Sequence, residues 1–273
     1  MNILFQEILH YAVIWIAFLR ASFARGLQFR SDFFFRILMD CFYYAVNLGF
    51  FEVLLHHTSE LGSLNTEQTR IFVAGFLFMD GLYMTFFSSS LWLFPDLIRK
   101  GNFDYTLVRP VSSFFLTVFR DFSVGSFFNF LIACAILTYQ ISTSSYAPSE
   151  VGSWLSVSLY ILFLLVGTSI MLATRLLFLV PAFWFTQVDA LRDLSWSIQN
   201  IGERPSGVYP DRVRFVFTYI VPVLTAFALP SESFLLGWPL DRWLPLTGVA
   251  VLFWGVLLFF WKQGTRAYSS ASS

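Results

Sequence analysis

Apolar residues in this chain come in long runs, not in the alternating or one-faced patterns of soluble strands and helices. Six stretches are apolar on every face: about Phe33–Leu55, Ile71–Phe94, Val111–Tyr139, Trp154–Leu176, Val213–Leu229 and Trp243–Trp261. A bilayer-spanning helix needs about 20 mostly apolar residues. In lipid only helices or closed barrels satisfy the backbone, and barrels read as alternating segments of about 10 residues. The runs therefore predict an all-α integral membrane protein with six transmembrane helices. The fourth run continues past one membrane thickness, and Pro181 predicts its break. Before the first run, Ile3–Leu19 is interrupted by Glu7 and His10, and no Lys or Arg precedes it, unlike a signal peptide. Its clean part, Tyr11–Leu19, is too short to span. With Arg20, Arg25 and Arg30 following, residues 1–32 predict an interfacial helix against anionic headgroups. The chain reads as a single membrane domain over 1–273, with the interfacial helix at 1–32, a six-helix bundle at 33–262 and a tail at 263–273.

Composition agrees. Hydrophobic residues make up 57% and charged residues 12%, against roughly 45–50% and 25% in soluble domains. The net charge is zero, so no overall field points to nucleic acid. Cys41 and Cys134 both lie inside apolar runs, which argues against a disulfide framework. The cations set the orientation. With the N-terminus inside, the inner segments hold Arg20, Arg25, Arg30, Arg99, Lys100, Arg109, Arg192, Arg204, Arg212, Arg214, Lys262 and Arg266. The outer segments hold only Arg70 and Arg242, and Arg36, Arg120 and Arg175 lie within runs. Both termini are therefore expected in the cytoplasm. Trp243 and Trp261 bracket the last run as interfacial aromatics do.

Charge inside a membrane needs a partner or a purpose. Arg36 and Asp40 stand four apart on one helix and can pair. Asp80 lies about 14 Å into the second run from outside, and Arg120 about 14 Å into the third from inside. These depths nearly coincide, so an interhelical Asp80–Arg120 pair is expected, either as a static lock or as part of a path. Cys41, Ala45 and Gly49 form a small-residue row that permits close packing, within the chain or across a dimer. No phosphate loop, H-E-x-x-H, paired C-x-x-C or G-x-S-x-G motif appears. Neither catalysis, nor a metal, nor a cofactor is expected on this chain.

The most specific element is the inner segment from Phe94 to Pro110. Gly101 breaks it, and apolar Leu97, Ile98, Phe103, Tyr105 and Leu107 alternate with Asp96, Arg99, Lys100 and Asp104. Such a piece lies on a membrane surface or in a groove of a soluble partner. The segment resembles the inner-loop signature of type-2 ABC exporter permeases, in particular the bacterial subset of uncharacterised transport-system permeases. Ile98, Gly101, Phe103, Asp104, Leu107, Arg109 and Pro110 carry the match. Supporting matches are Ala182–Phe185, Tyr209-Pro210, and Thr218–Pro222 with Leu229-Pro230 beyond.

The resemblance implies a permease subunit of an ATP-driven exporter in the bacterial inner membrane. Residues 1–32 would be a connecting helix, and residues 95–110 a coupling helix on a separate ATPase. In that loop Asp104 and Arg109 would hold the shape, while Leu97, Ile98, Phe103 and Leu107 would supply the docking face. The piece between Pro230 and Pro239 would be an outer re-entrant gate. Two permeases, identical or related, would pair over two ATPase copies, which carry the ATP and magnesium. Two rivals need other features. A secondary transporter wants midplane titratable groups and an internal repeat. A lipid-modifying membrane enzyme wants an interfacial cluster of His, Asp or Glu. Of these features only Asp80 is present.

Overall fold

The computed structural model describes residues 3–28, 30–58, 60–146, 151–185 and 187–269. Glu150 and the last residues of the 263–273 tail lie outside them. Helix α1 (Ile3–Gln28) is followed by α2 (Arg30–His57) and a two-stranded hairpin, β1 (Glu60–Leu61) and β2 (Leu64–Asn65). The hairpin pairs Glu60 with Asn65 and Leu61 with Leu64, and turns at Gly62 with φ +66°. Asn65 then caps α3 (Thr66–Tyr83). Its Oδ1 accepts from Gln68 N at 2.9 Å, and Gln68 Oε1 accepts from Asn65 N at 3.0 Å. A π-helical turn, Met84–Ser88, carries α3 into α4 (Ser89–Arg99). The short α5 (Asp104–Leu107) and α6 (Ser113–Val118) precede α7 (Val124–Ser142) and α8 (Val151–Leu179). Then come a 3₁₀ turn Val180–Phe183, α9 (Asp189–Gln199), a 3₁₀ turn Ser206–Val208, α10 (Asp211–Phe215), a π turn Val216–Ile220, α11 (Val223–Leu235) and α12 (Leu240–Ala267).

Six helical stretches are long and apolar enough to cross a membrane: Phe5–Gln28, Phe33–His57, Thr66–Arg99, Val124–Ser142, Gly152–Phe183 and Leu240–Ala267. The chain is an all-helical integral membrane protein. Its bundle has two ends, one at the 60–65 hairpin and one at the 95–110 loop. Although α1 passes the length test, its partners all lie toward the loop end. Tyr11 packs on Phe115, Trp15 on Phe86 and Phe23 on Phe122, and Arg25 pairs with Asp121 at 2.6 Å.

Two departures from the hydropathy reading are structural. The third run is not one helix. It breaks between α6 and α7, and neighbours close the open backbone: Thr85 O accepts from Ser123 N at 2.9 Å, Ser90 Oγ from Asp121 N at 2.9 Å, and Ser22 Oγ from Phe122 N at 3.2 Å. The fifth run, Val213–Leu229, is not a straight span either. It falls on α10, the π turn and α11, two arms bent by 101° at Val221–Pro222. The crossing between the two ends is made instead by the polar stretch before it. Asp189 lies 3.9 Å from Arg99 at the loop end, Arg192 covers Trp92, and Trp196 stacks on Arg175. Ser206 then reaches Glu232, and Gly207 abuts Gly62 and Ser63 of the hairpin. Its inward face, with Ser195, Trp196 and Gln199, meets other helices and a cavity, where the apolar requirement of lipid contact is absent, while Asp193, Leu194 and Ser197 are exposed.

Pro230 and Pro239 do not bracket a separate segment. Pro230 lies inside α11, which continues to Leu235, and Pro239 caps α12. The turn between them is made by Gly237 at φ +80° and Trp238 at φ +61°. All residues of α11 are buried, and one position shows how tightly it packs. A Cβ on Gly167 of α8 would stand 2.2 Å from Ala226 O and 3.0 Å from Pro230 Cγ. The expected small-residue row behaves differently. A Cβ on Gly49 would meet nothing within 4 Å and Ala45 is exposed, whereas Cys41 Sγ donates to Asn129 Oδ1 of α7 at 3.3 Å, so only the Cys41 end of the row packs within the chain.

Glu232 is fully buried. It accepts from Ser206 N at 2.6 Å and Ser206 Oγ at 2.7 Å, and it pairs closely with Arg242. One carboxylate thus ties α11, the 206–208 turn and the start of α12 together.

Gly167→Ala is expected to lower stability by about 1–3 kcal/mol, the range for overpacking a tight core, whereas Gly49→Ala should cause no loss. Thermal melting of the solubilised protein checks the pair, and equal melting temperatures would contradict the close approach of α8 and α11. Arg242→Ala strands the Glu232 carboxylate and is expected to cost about 3 kcal/mol. Replacing both partners, as Glu232→Gln with Arg242→Met, should cost less. A double variant melting below the single one would refute the pairing.

Candidate functional site

Two regions of the bundle carry chemistry, and α9 joins them. The first is the loop between α4 and α6. Helix α4 ends because Gly101 takes φ +72°. Gly101 N then bonds Ile98 O at 3.0 Å and Phe103 N bonds Leu97 O at 3.0 Å, closing carbonyls the helix leaves open. Phe103, just past that turn, is 0% exposed. Its ring lies edge-on to Phe183 and Tyr268, at 5.4 and 5.3 Å between centroids, and close to Phe94 and Trp261. Trp261 stacks on Phe94 at 5.4 Å and meets Phe114 at 5.1 Å. The contact is tight. A Cβ on Gly264 would come within 2.2 Å of Phe183 Cδ2. The Tyr268 hydroxyl faces the Asp104 carboxylate, and burial, together with that carboxylate as acceptor, raises its pKa above the ordinary tyrosine value.

This geometry divides the loop residues differently from the sequence reading. Ile98 and Phe103, expected on the outward face, point inward and anchor the loop. The outward apolar residues are Tyr105 at 70% exposure, Leu107 at 41% and Val108 at 80%. Leu97 is half-buried, and Asp104 turns toward Tyr268. Arg109 and Pro110 are exposed. Arg109 lines a 230 Å³ recess with Arg120, Leu97 and Phe18 of α1. The structure therefore does not bring Asp80 and Arg120 together. Arg120 sits at the break between α6 and α7, with Asp121 at 4.0 Å, because the third run bends there instead of rising through the bundle.

The second region is a cavity of about 700 Å³ at mid-bundle, walled by α2, α3, α7, α8, α9, α11 and the 200–209 stretch. Asp80 of α3 lines it, and the cation acting on Asp80 is Arg175 of α8. The Arg175 guanidinium lies between the Tyr83 and Trp196 rings, at 4.3 and 3.6 Å from their centroids. Asp40 of α2 is held by α7, accepting at Oδ2 from Asn129 Nδ2 at 2.8 Å and Ser126 Oγ at 3.3 Å. These bonds replace the expected contact with Arg36, whose side chain lies over Gly125. Tyr43 donates to Glu203 Oε1 at 3.4 Å. Arg175, Glu203, Gln199 and Trp196 went unrecognised as site residues. The available signal was an amphipathic helix with charge on one face, within a stretch too polar to read as membrane-facing.

Helix α9 links the two regions. Its first turn meets α4 through Asp189 and Arg99, its middle lies on Trp92 through Arg192, and its last residues, Trp196 and Gln199, form part of the cavity wall.

Comparison with known families gives one result. The profile described as ABC-2 family transporter protein matches residues 41–272, from α2 to the end of α12 and beyond. No curated protein and no solved structure matches the chain. The matched span includes the loop, α9, the cavity and the bent pair α10–α11, so this chain belongs to the ABC-2 transporter family and is its membrane-spanning permease component.

Proposed function

We propose that this chain is the permease subunit of an ATP-driven exporter, with residues 95–110 docking on a separate ATPase. The observation that carries this reading is the continuous route from the loop to the cavity. A push on the exposed Tyr105–Val108 surface meets an anchor, Phe103, set among α4, the 180–183 turn and α12. The same loop end holds Asp189 of α9 against Arg99. Interlocked side chains of this kind move as a body. Closure of two ATPase subunits on ATP would then tilt α9 and α12 together and reshape the cavity wall. ATP drives the shift only through its different affinities for the two states.

The loop end is the cytoplasmic end in this proposal. Arg99, Lys100, Arg109, Lys262 and Arg266 cluster there, against Arg70 and Arg242 at the hairpin end, while Arg212 and Arg214, expected inside, follow the 206–208 turn that abuts the hairpin and depart from that bias. The path α2, α3–α4, α7, α8, α9–Ser206 and α12 crosses six times, which returns both termini to the cytoplasm. Helix α1 lies along the inner interface as the connecting helix, and α10–α11 forms the outer re-entrant pair. Two permeases pair over two ATPase copies in the bacterial inner membrane, and the exposed faces of α2, including the Ala45–Gly49 row, suit that pairing. ATP and magnesium belong to the ATPase, and substrate leaves outward.

Tyr105→Glu with Val108→Glu is expected to lower copurification of the ATPase and ATP-driven transport about tenfold or more. Both side chains are exposed, so the melting temperature should not change. An undiminished ATPase yield would reject the docking role. Arg109→Ala should leave the permease folded and reduce substrate-stimulated ATP hydrolysis, and wild-type coupling in that variant would count against the loop assignment.

A further inference from the structure

The walls of the mid-bundle cavity are unbalanced in hydrogen-bonding character. Three carboxylates, Asp40, Asp80 and Glu203, line it against two guanidinium groups, Arg175 and Arg204. The Arg175 guanidinium is enclosed by the Tyr83 and Trp196 rings and is the cation acting on Asp80, with its Nε left without a hydrogen-bond partner among the described residues, and Arg204 acts on Glu203. Glu203 accepts from Tyr43, and Asp40 accepts from Asn129 and Ser126 and also feels Arg36. Three acceptor positions nevertheless stay open. Asp80 is 9% exposed, and among the described residues nothing donates a hydrogen bond to its carboxylate or lies within ion-pair distance of it. Gln199 is 8% exposed, and its Oε1 has no partner. Among the described residues Asp40 accepts at Oδ2 only. A buried acceptor without a donor costs free energy, and here several converge on one space from α2, α3 and α9. Between them the wall is aromatic and apolar, with Phe76, Phe227, Met171 and Trp196. Its volume lies in the range of small-molecule sites, about 300–1,000 Å³.

From this juxtaposition we infer that the cavity binds an amphiphilic organic cation that carries hydrogen-bond donors, with its charged end at Asp80 and Asp40, a donor at Gln199 Oε1, and its apolar body against the aromatic wall. An organic anion is disfavoured, because it would add negative charge to a wall with three carboxylates against two guanidinium groups and would offer no donors to the open acceptors. The inference deepens the permease reading by giving the cavity a substrate class, and it rests on that reading for the role of the bound molecule. The binding itself does not depend on nucleotide or on an ATPase.

That independence sets the test. The chain alone, in nanodiscs of phosphatidylcholine, is titrated against ethidium, an aromatic cation bearing amino groups, and fluorescence anisotropy is read. Saturable binding is expected, with Asp80→Asn weakening it about tenfold or more, the loss expected for one charge-assisted hydrogen bond. Gln199→Glu should tighten it, and anilinonaphthalene sulfonate, an aromatic anion, should not displace the dye. Should Asp80→Asn elute as aggregate, Gln199→Glu decides: tighter binding supports the inference, and unchanged or weaker binding overturns it. Absence of saturable binding to the unaltered chain, an unchanged affinity in folded Asp80→Asn, or displacement by the anion overturns it as well. None of these results touches ATPase docking at Tyr105 and Val108, and loss of that docking would leave the ethidium result standing.

Discussion

Hydrocarbon offers no water to close a broken helix, so every interruption of the backbone inside this bundle must be closed by protein. The chain is interrupted repeatedly, and the closures determine its shape. At the break before α7, Thr85, Ser90 and Ser22 supply acceptors from three other segments. At Val221–Pro222, the Thr225 hydroxyl reaches back to Thr218 O at 2.5 Å, and Val221 N closes on Val216 O. Where the chain turns past Ser206, the Glu232 carboxylate takes its amide and its hydroxyl. Each closure joins elements distant in sequence, so the irregular segments are also the points at which the long helices are tied to each other.

The same constraint connects the loop 95–110 structurally to the cavity at mid-bundle. The loop leaves α4 through one left-handed glycine, and Phe103 then fills an aromatic nest made by α4, the 180–183 turn and α12. The nest is rigid because its partners interlock, as Gly264 shows by having no room for a methyl group. From the loop end, α9 runs to Trp196 and Gln199 in the cavity wall. The bundle thus has an aromatic anchor at one end, a cavity at its middle and a carboxylate clamp, Glu232, at the other end.

Much of this was legible in the residues. Helices that face lipid announce themselves, and α2, α3–α4, α8 and α12 lie where hydropathy places them. Gly101 and the residues around it identified the loop, and the family match covers it. The fifth crossing was not legible by that route. Its inward face meets other helices, the cavity and the hairpin instead of acyl chains, and the stretch, with Arg192, Glu203 and Arg204, reads as a cytoplasmic loop. The apolar stretch after it was read as the span, although it is a buried, bent pair. The expected Asp80–Arg120 pair failed for a related reason. Depth counting assumes a straight helix, and α6–α7 is not straight. The division of the loop into anchor and outward face was likewise hidden, since alternation alone does not tell whether Phe103 or Tyr105 points in.

The central claim is that this chain is a gate driven through the Tyr105–Val108 surface by a separate ATPase. Its most direct test is site-directed cross-linking of Val108→Cys in membranes that also hold the ATPase, with and without ATP. The account predicts a cross-link to the ATPase whose yield changes on ATP binding. Transport by the purified chain alone, with no ATPase bound and no cross-link formed, would contradict it.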